Sequence, residues 1–597
     1  MIFVSSESEP GGKGRFISQA NCGETAENRN SSEVKTMEIS GAQIAAEILR
    51  EQGTDTVFGY PGGQVTDLFD ALYGQDDIRL ILTAHEQGAA HAADGYARAS
   101  GRVGVVLATS GPGATNLITG IAAAYLDSVP VVAITGNVPC SQIGKDSFQE
   151  VDIVGVSMPV TKHNFIVKDV GELADTLREA FRIAKSGRPG PVLVDIPQDV
   201  QKAVCTYEPE ECVSAEPLRL ASNHRLRWAA DMIQHAKRPY IYFGGGIISA
   251  DASEELTAFA AKIDAPMGCS LMGLSAVPSS HPRFLGMQGM HGHYASTLAE
   301  DEADLLLAFG VRFSDRATGE QSRFSEHFSV IHIDIDGAEL NKNVTAKLTV
   351  RGDIKDALRR LTALVPQQMH PEWTARIAEL RAEEARRTSR SHNFMAGGGY
   401  LTHYEIIDAV SAAAEPDAVI VTDVGQHQMW TAQRYPLKQP RTFLTSGGLG
   451  AMGYGMGAAI GAFAATGKRC VLFTGDGSFG MNLNELATAV SFGANLVVII
   501  MNNGVLGMVR QWQKLFFDGR YAGTTLNRKT DFVKVAEAFG AEGMRAQNPD
   551  ELQNAVCAAF SKRGVFVIDC RMNPDEPVLP MRPPGGSVDD MITELEP

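Results

Sequence analysis

Basic runs, long apolar runs and paired cysteines are all missing from this 597-residue sequence. Lysine and arginine number 53 against 70 aspartates and glutamates, a formal charge of -17, and no Lys/Arg block interrupts that balance. A surface that tracks nucleic-acid phosphates or lies on anionic lipid needs the opposite sign. Small-molecule partners are therefore expected, with no nucleic acid and no membrane. The most apolar stretches, Val103 to Ala108 and Leu496 to Met501, fall far short of the ~20 residues of a membrane span and suit buried strands. The eight cysteines (Cys22, Cys140, Cys205, Cys212, Cys269, Cys470, Cys557, Cys570) form no CxxC pair, and no histidine stands at zinc-finger spacing. A reducing, cytoplasmic compartment fits that scatter. Residues 1–36 are rich in Ser, Glu, Gly and Asn and lack a basic flank followed by an apolar core, so they predict a disordered extension and not a signal peptide.

What is present is the composition of a multidomain globular protein: 44% hydrophobic, 21% charged and 60 glycines. At roughly 150 residues per domain the length allows three or four domains. From Ile39 onward, amphipathic stretches alternate with short apolar runs closed by Gly or Pro, which predicts an α/β fold of three doubly wound parallel-sheet domains. Their expected bounds are 37–204, 222–365 and 396–572, with a C-terminal tail or lid over 573–597. The aperiodic stretch Cys205 to Asn223 reads as a linker. The charged helix predicted over Glu372 to Arg387 reads as a solvent-exposed connector. A helix is also expected over Ala89 to Ser100, after a strand that runs into His85-Glu86-Gln87-Gly88.

The third unit carries the clearest chemistry. Strand-like Arg469 to Thr474 runs into Gly475-Asp476-Gly477-Ser478, and Asn495 to Met501 runs into Asn502-Asn503-Gly504. Asp476 and Asn503 are thus expected just beyond the carboxyl ends of two successive strands, where doubly wound sheets bind ligands. Two oxygen ligands of this kind suit Mg²⁺, which takes its remaining ligands from water and substrate phosphate. Either turn alone is ordinary in an α/β protein. The joint placement, with 24 residues (478 to 501) between Gly477 and Asn502, points to a site.

Gly-Asp-Gly followed at this spacing by Asn-Asn resembles the metal and diphosphate signature of thiamine-diphosphate enzymes. Within that superfamily the chain is similar, from about Ile39 to the C-terminal region, to the acetohydroxyacid synthase catalytic-subunit family. The matching stretches include Phe58-Gly-Tyr-Pro-Gly-Gly63, His85-Glu-Gln-Gly88, Thr109-Ser-Gly-Pro-Gly-Ala-Thr-Asn116, Phe148-Gln-Glu150, Gly289-Met-His-Gly292, Val424-Gly-Gln-His-Gln-Met-Trp430, Ser446-Gly-Gly-Leu-Gly-Ala-Met-Gly453 and Gly507-Met-Val-Arg-Gln-Trp512.

The resemblance implies pyrimidine-binding, central FAD-binding and diphosphate-binding domains, in that order. It implies decarboxylation of pyruvate on thiamine diphosphate and condensation of the hydroxyethyl carbanion with a second 2-ketoacid, the first common step of branched-chain amino-acid synthesis. Glu86 would hydrogen-bond N1' of the cofactor's aminopyrimidine, an acid–base role; Gly63 and Gln149 would lie near the reacting carbon. Met452 would bend the cofactor, and Gly425, Gln426, His427, Gly477 and Ser478 would face its diphosphate. Asp476, Asn503 and Val505 would hold Mg²⁺. Arg188, Gly244, Gly245, Gly246, His291, Gly310, Arg312, Asp334 and Ile335 match FAD-contacting positions, and Arg316 and Trp512 match the residues that select the second ketoacid. A homodimer or homotetramer, with a small regulatory subunit, is implied as well. Departures from the family pattern are Gln64, Gln198, Ser314 and Gly457, the first two towards the substrate channel, so acceptor preference stays open. A relative acting on another substrate, such as a sulfoacetaldehyde acetyltransferase or a ketoacid oxidase, is disfavoured by Arg316 and Trp512. A catalytically silent homologue is disfavoured by Glu86, Asp476 and Asn503.

Overall fold

The computed structural model describes residues 36–210, 219–319, 324–395 and 399–594; the extension expected over residues 1–36 lies outside them but for its last residue. Three six-stranded sheets organise the chain, and every pairing within them is parallel. The first runs, edge to edge, Arg79–Leu82, Thr56–Tyr60, Gly104–Ala108, Val131–Asn137, Val192–Pro197, His163–Ile166. The third runs Phe443–Leu444, Val419–Thr422, Cys470–Gly475, Leu496–Asn502, Val565–Arg571, Glu542–Ala546. Numbered by sequence within each sheet, both have the order 2-1-3-4-6-5. The middle sheet, Phe284–Met287, Met267–Cys269, Pro239–Phe243, Leu305–Phe309, Ser329–Asp334, Leu348–Arg351, has instead the dinucleotide-fold order 3-2-1-4-5-6. Central strands such as Gly104–Ala108 and Leu496–Asn502 are buried at every position, because helices cover both faces of a parallel sheet.

The first and third domains meet through two helices, Glu86–Ser100 and Tyr454–Thr466, whose apolar residues share one core. Their composition explains the closeness. A Cβ on Gly461 would sit 1.8 Å from the Ala92 carbonyl oxygen, and one on Gly95 2.2 Å from that of Ala458. Gly457, where the family pattern has proline, faces the Gly88 carbonyl in the same way, at 2.6 Å. The largely buried Arg98 bridges Asp94 at 2.6 Å and Asp127 at 2.9 Å, while Tyr454 donates to Asp94 at 2.7 Å. Asp127 in turn accepts the Gly447 and Gly448 amides at 2.9 and 2.7 Å. A buried charge cluster is thus satisfied across the domain boundary.

Three expectations are corrected. Val204–Tyr207, at the start of the predicted linker, is a strand that pairs antiparallel with Met37–Ser40; residues 211–218 of that linker lie outside the described residues. The connector helix extends over Pro371–Met395, and it is not merely solvated: Trp373, Ile377 and Leu380 are buried in the middle domain's core. The helix predicted from Ala89 starts at Glu86, because the His85 ring nitrogen accepts the Gln87 amide and caps the first turn.

Candidate active site

In the 2-1-3-4-6-5 order the switch point falls between the first and third strands, and ligands of doubly wound sheets sit outside the carboxyl ends there. In the first domain these ends carry Tyr60 to Gly63 and Thr109 to Gly113. The Thr109 hydroxyl accepts the Gln64 amide at 3.3 Å, and a Cβ on Gly62 would strike the Thr109 side chain at 2.5 Å. Glu86 joins them from the next helix: the Asn116 amide donates to its Oε2 at 3.0 Å, and a Cβ on Gly113 would lie 3.3 Å from its Oε1. Gln149 holds a left-handed backbone (φ 59) against Gly111 (φ +59), whose Cβ would lie 2.9 Å from the Gln149 Cα. Gly63 is different, since a Cβ there would meet nothing within 4 Å. Packing within the chain does not demand glycine at that position. Gln198 donates to the Gly63 carbonyl at 3.3 Å.

In the third domain the matching strand ends carry Asp423 to His427 and Gly475 to Ser478, with Asn503 just beyond the neighbouring strand Leu496–Asn502. Asp423, buried and pushed up to about 6 by that burial, accepts the Val424 and Gly453 amides at 3.0 and 2.8 Å. It thereby ties the loop bearing Met452 to the crevice. Met452 reaches over Gly477, where a Cβ would lie 3.7 Å from its Cε. Gly475 leaves room for the His427 ring, and Gly507 for the amides of Gln426 and Asn503, which bond to each other at 3.1 Å. The Ser478 hydroxyl donates to the Val424 carbonyl at 2.7 Å, and Asn503 Oδ1 accepts the Val505 amide at 3.2 Å.

Two buried polar atoms in this crevice have no partner, Asp476 Oδ1 and His427 Nε2. Burial raises the Asp476 carboxyl to about 6 and lowers the His427 imidazole to about 3. A buried carboxylate oxygen without a donor is costly unless a cation meets it, and a half-satisfied imidazole suits an approaching anion. These residues therefore fit a divalent metal with a diphosphate. Among the described residues no group of three His, Cys, Asp or Glu could hold a metal, so such a cation depends on Asp476, the Asn503 amide and backbone or ligand oxygens.

In the middle domain Gly244 follows the first strand and Gly310 the fourth, again at the switch point. A Cβ on Gly244 would lie 2.3 Å from the Gly310 oxygen, and one on Gly246 2.6 Å from the Gly310 Cα; Gly310 has φ +57. Gly245 is roomier, its Cβ reaching Met272 only at 3.4 Å. Arg312 is largely buried, which lowers its pKa against the pull of Asp127. Asp334 and Ile335 close the fifth strand; burial raises the Asp334 carboxyl to about 6, and the Ile335 carbonyl accepts from Arg351 at 3.4 Å. Arg188, from the first domain, reaches the same edge but spends its guanidinium on Glu339 at 2.6 Å and Asp336 at 3.5 Å. This end of the sheet, a close-packed glycine turn beside a buried guanidinium, fits a pyrophosphate-bearing dinucleotide. His291 is buried with Nδ1 unpartnered, next in sequence to Met290, whose amide donates to the Arg316 carbonyl at 2.7 Å.

Arg316 and Trp512 come together from different domains, with the guanidinium carbon 5.5 Å from the ring centroid. The tail completes this region. Arg582 donates to the Ala317 carbonyl at 2.6 Å, and with Arg316, Met290 and Gly585 it lines a cleft of about 50 Å³. Gln511 exchanges two hydrogen bonds with Val578, at 2.8 and 3.1 Å, and Gln426 donates to the Glu576 carbonyl at 2.8 Å. The Gln426 side-chain amide, at the start of helix Gln426–Arg434, is thus occupied by Asn503 and the tail. Asn116, Asp423, Gln511 and Glu576 were not singled out in the sequence. Asn116 and Gln511 stood inside recognised motifs, whereas nothing local marks Asp423 or Glu576.

Comparison with known proteins agrees with this architecture. Residues 39–156, 226–361 and 423–570 match the N-terminal TPP binding, central and C-terminal TPP binding domains of the thiamine pyrophosphate enzymes. The chain is 44% identical to the acetolactate synthase isozyme 1 large subunit of Escherichia coli, covering 93% of this chain and 98% of that one. It is 43% identical to a probable acetolactate synthase large subunit of Methanocaldococcus jannaschii (93% and 96% covered) and to an acetolactate synthase of Mycobacterium bovis (94% and 92%). With three parallel sheets under three matching domain models and relatives 43–44% identical over 93–94% of its length, the chain belongs to the acetolactate synthase large-subunit family of thiamine pyrophosphate enzymes.

Proposed function

We propose that this protein decarboxylates pyruvate and joins the two-carbon unit to a second pyruvate or to 2-ketobutyrate, giving 2-acetolactate or 2-aceto-2-hydroxybutyrate. The observation that carries the proposal is the pairing of a carboxylate at one switch point, Glu86 with Asn116, with an orphaned carboxylate oxygen at the other, Asp476 Oδ1. When bound, thiamine diphosphate supplies the electron sink and the carbon nucleophile. The chain's own residues bind, orient and move protons. Asp476, Asn503 and the Val505 carbonyl would hold Mg²⁺; Gly425, His427, Gly477 and Ser478 would cradle the diphosphate, and Met452 would support the ring system above Gly477. Glu86 would exchange a proton with the aminopyrimidine nitrogen, with Asn116 fixing its carboxylate. Gly63 and Gln149 would border the reacting carbon, and Arg316 and Trp512 would receive the acceptor ketoacid.

FAD in the middle domain is part of the same reading, held at Gly244 to Gly246, Gly310, Arg312, Asp334 and Ile335, with Arg188 and His291 nearer its edges. It is supported by the 3-2-1-4-5-6 strand order and the glycine turn. We take the three domains as 37–204, 222–365 and 396–572. A small regulatory subunit is supported by the relatives' designation as large subunits, and a homodimer or homotetramer by the exposed Phe148, Met158 and Leu82, apolar surface that a second copy would cover. A cytoplasmic location is supported by the free state of all six cysteines among the described residues. No helix among the described residues is long and apolar enough to cross a membrane.

The test is product analysis with Mg²⁺ and thiamine diphosphate, using pyruvate alone and then with 2-ketobutyrate. Acetolactate from the first and aceto-hydroxybutyrate from the second are expected; carbon dioxide without either condensation product would overturn the proposal.

A further inference from the structure

Glu485, on the third domain, is fully buried, yet it lies against a turn of the first domain. Its Oε2 accepts the Ala84 amide at 3.2 Å and the Thr488 hydroxyl at 2.6 Å, and its Oε1 has no hydrogen-bond partner. Ala84 and His85 are the two residues before Glu86, the first residue of its helix. Gly88, one residue beyond Gln87, makes room: a Cβ there would sit 2.1 Å from Glu485 Oε1, so any larger residue displaces the carboxylate. The helix already has its local cap in His85, whose ring accepts the Gln87 amide at 3.1 Å. Glu485 is therefore a second grip on the same turn, delivered from another domain. Burial raises its pKa, opposed by the Thr488 hydroxyl and the Ala84 and His85 amides.

We infer that Glu485 is a positioning residue for Glu86, fixing the turn that launches the Glu86 side chain against the third domain. The inference rests on the proposed activity, in which Glu86 handles the proton. A hydrogen bond from a backbone amide to a buried carboxylate is among the stronger ones, and its loss leaves the half-buried Ala84 amide without this partner. The turn then keeps only grips from its own domain, the His85 cap and the Thr83 hydroxyl, which donates to the His85 carbonyl at 3.2 Å. A shift of about 1 Å in a reacting group costs on the order of a hundredfold in rate.

The experiment compares Glu485→Ala, which removes the acceptor, with Glu485→Gln, which keeps an acceptor oxygen, in the full-length holoenzyme. Two experiments are run: steady-state kinetics, giving kcat and KM for pyruvate, and deuterium uptake of the peptide containing Ala84 to Gly88 in the enzyme without substrate. Glu485→Ala is expected to lower kcat roughly ten- to a hundredfold, to leave KM little changed, and to speed uptake in that peptide. Glu485→Gln is expected to recover most of both. Should Glu485→Ala fail to fold, Gly88→Ala displaces the carboxylate without removing it, and the same loss of kcat at unchanged KM is expected. Wild-type kcat in Glu485→Ala, loss of peptide protection without loss of kcat, or an equal loss in Glu485→Gln overturns the inference while the proposed activity stands. A parent enzyme that makes no acetolactate overturns both, and it does so before any variant is made.

Discussion

The Arg316 guanidinium lies over the Trp512 indole, its Cζ 5.5 Å from the ring centroid, although the two residues belong to the middle and third domains. The Arg316 Nη1 also reaches the Met290 sulfur at 3.8 Å, and Trp512 packs edge-on against Phe516. A cation held on an aromatic face beside a small cleft suits a short acid with a carboxylate at one end and an alkyl group at the other.

The acceptor preference follows. One buried methylene is worth ~1–3 kcal/mol, so 2-ketobutyrate should be preferred over pyruvate roughly ten- to two-hundredfold. Trp512→Leu should collapse that preference while acetolactate formation from pyruvate alone survives. Product ratios at several ratios of the two acids measure it. An unchanged ratio places the selecting wall elsewhere, with Gln198 and Gln64 next to examine.

The helix contact between the first and third domains sets a steric limit. With a Cβ on Gly461 brought to 1.8 Å from the Ala92 oxygen, Gly461→Val must push the helices apart. Overpacking of this kind costs about 1–3 kcal/mol or more. Thermal unfolding should begin several degrees lower, and kcat should fall with it, because Glu86 rides on one of the two helices. A variant as stable and active as the parent would show that the helices are free to separate.

Glu300, fully buried in the middle domain beside Gln288, gives a pH dependence. Burial pushes its carboxyl up to about 8, against the attraction of Arg582. The folded protein thus binds this proton more tightly than the unfolded chain, whose carboxyl titrates at the ordinary value of 4.5. Its stabilising contribution is complete below about pH 4.5 and is lost as pH rises through about 8. Glu300→Gln should therefore gain stability relative to the parent between pH 5 and pH 8, read from unfolding midpoints. A constant difference across that range would mean that Glu300 is ionised in the fold.

A flavin in the middle domain predicts yellow protein on purification without added FAD, with Gly245→Arg or a comparably bulky change at the glycine turn removing the colour. Colourless, fully active enzyme would separate the proposed activity from the flavin.

Much of the architecture was legible because parallel strands buried on both faces are unbroken apolar runs, and because Gly-Asp-Gly and Asn-Asn-Gly stop two of them at the ligand-binding end. Glu86, Asp476 and Asn503 could be placed for that reason. What the chain hides is long-range. Nothing near Pro371 announces that Trp373 will enter the middle core, and nothing near Val204 announces a partner at Ser40. The glycines of Tyr454–Thr466 look like a flexible stretch until the Ala92 and Gly88 carbonyls are found against them. Nothing in the motif that holds Gln426 announces that its side-chain amide meets Asn503 and the tail. Side-chain pairs separated by hundreds of residues leave no periodicity to read.

The most direct measurement is hydrogen–deuterium exchange at C2 of thiamine diphosphate bound to the parent enzyme and to Glu86→Gln. If Glu86 drives the proton transfer that activates the cofactor, exchange in the variant should slow by roughly two orders of magnitude or more with cofactor still bound, the usual scale of a lost acid–base group. An exchange rate equal to the parent's would contradict the account at its centre.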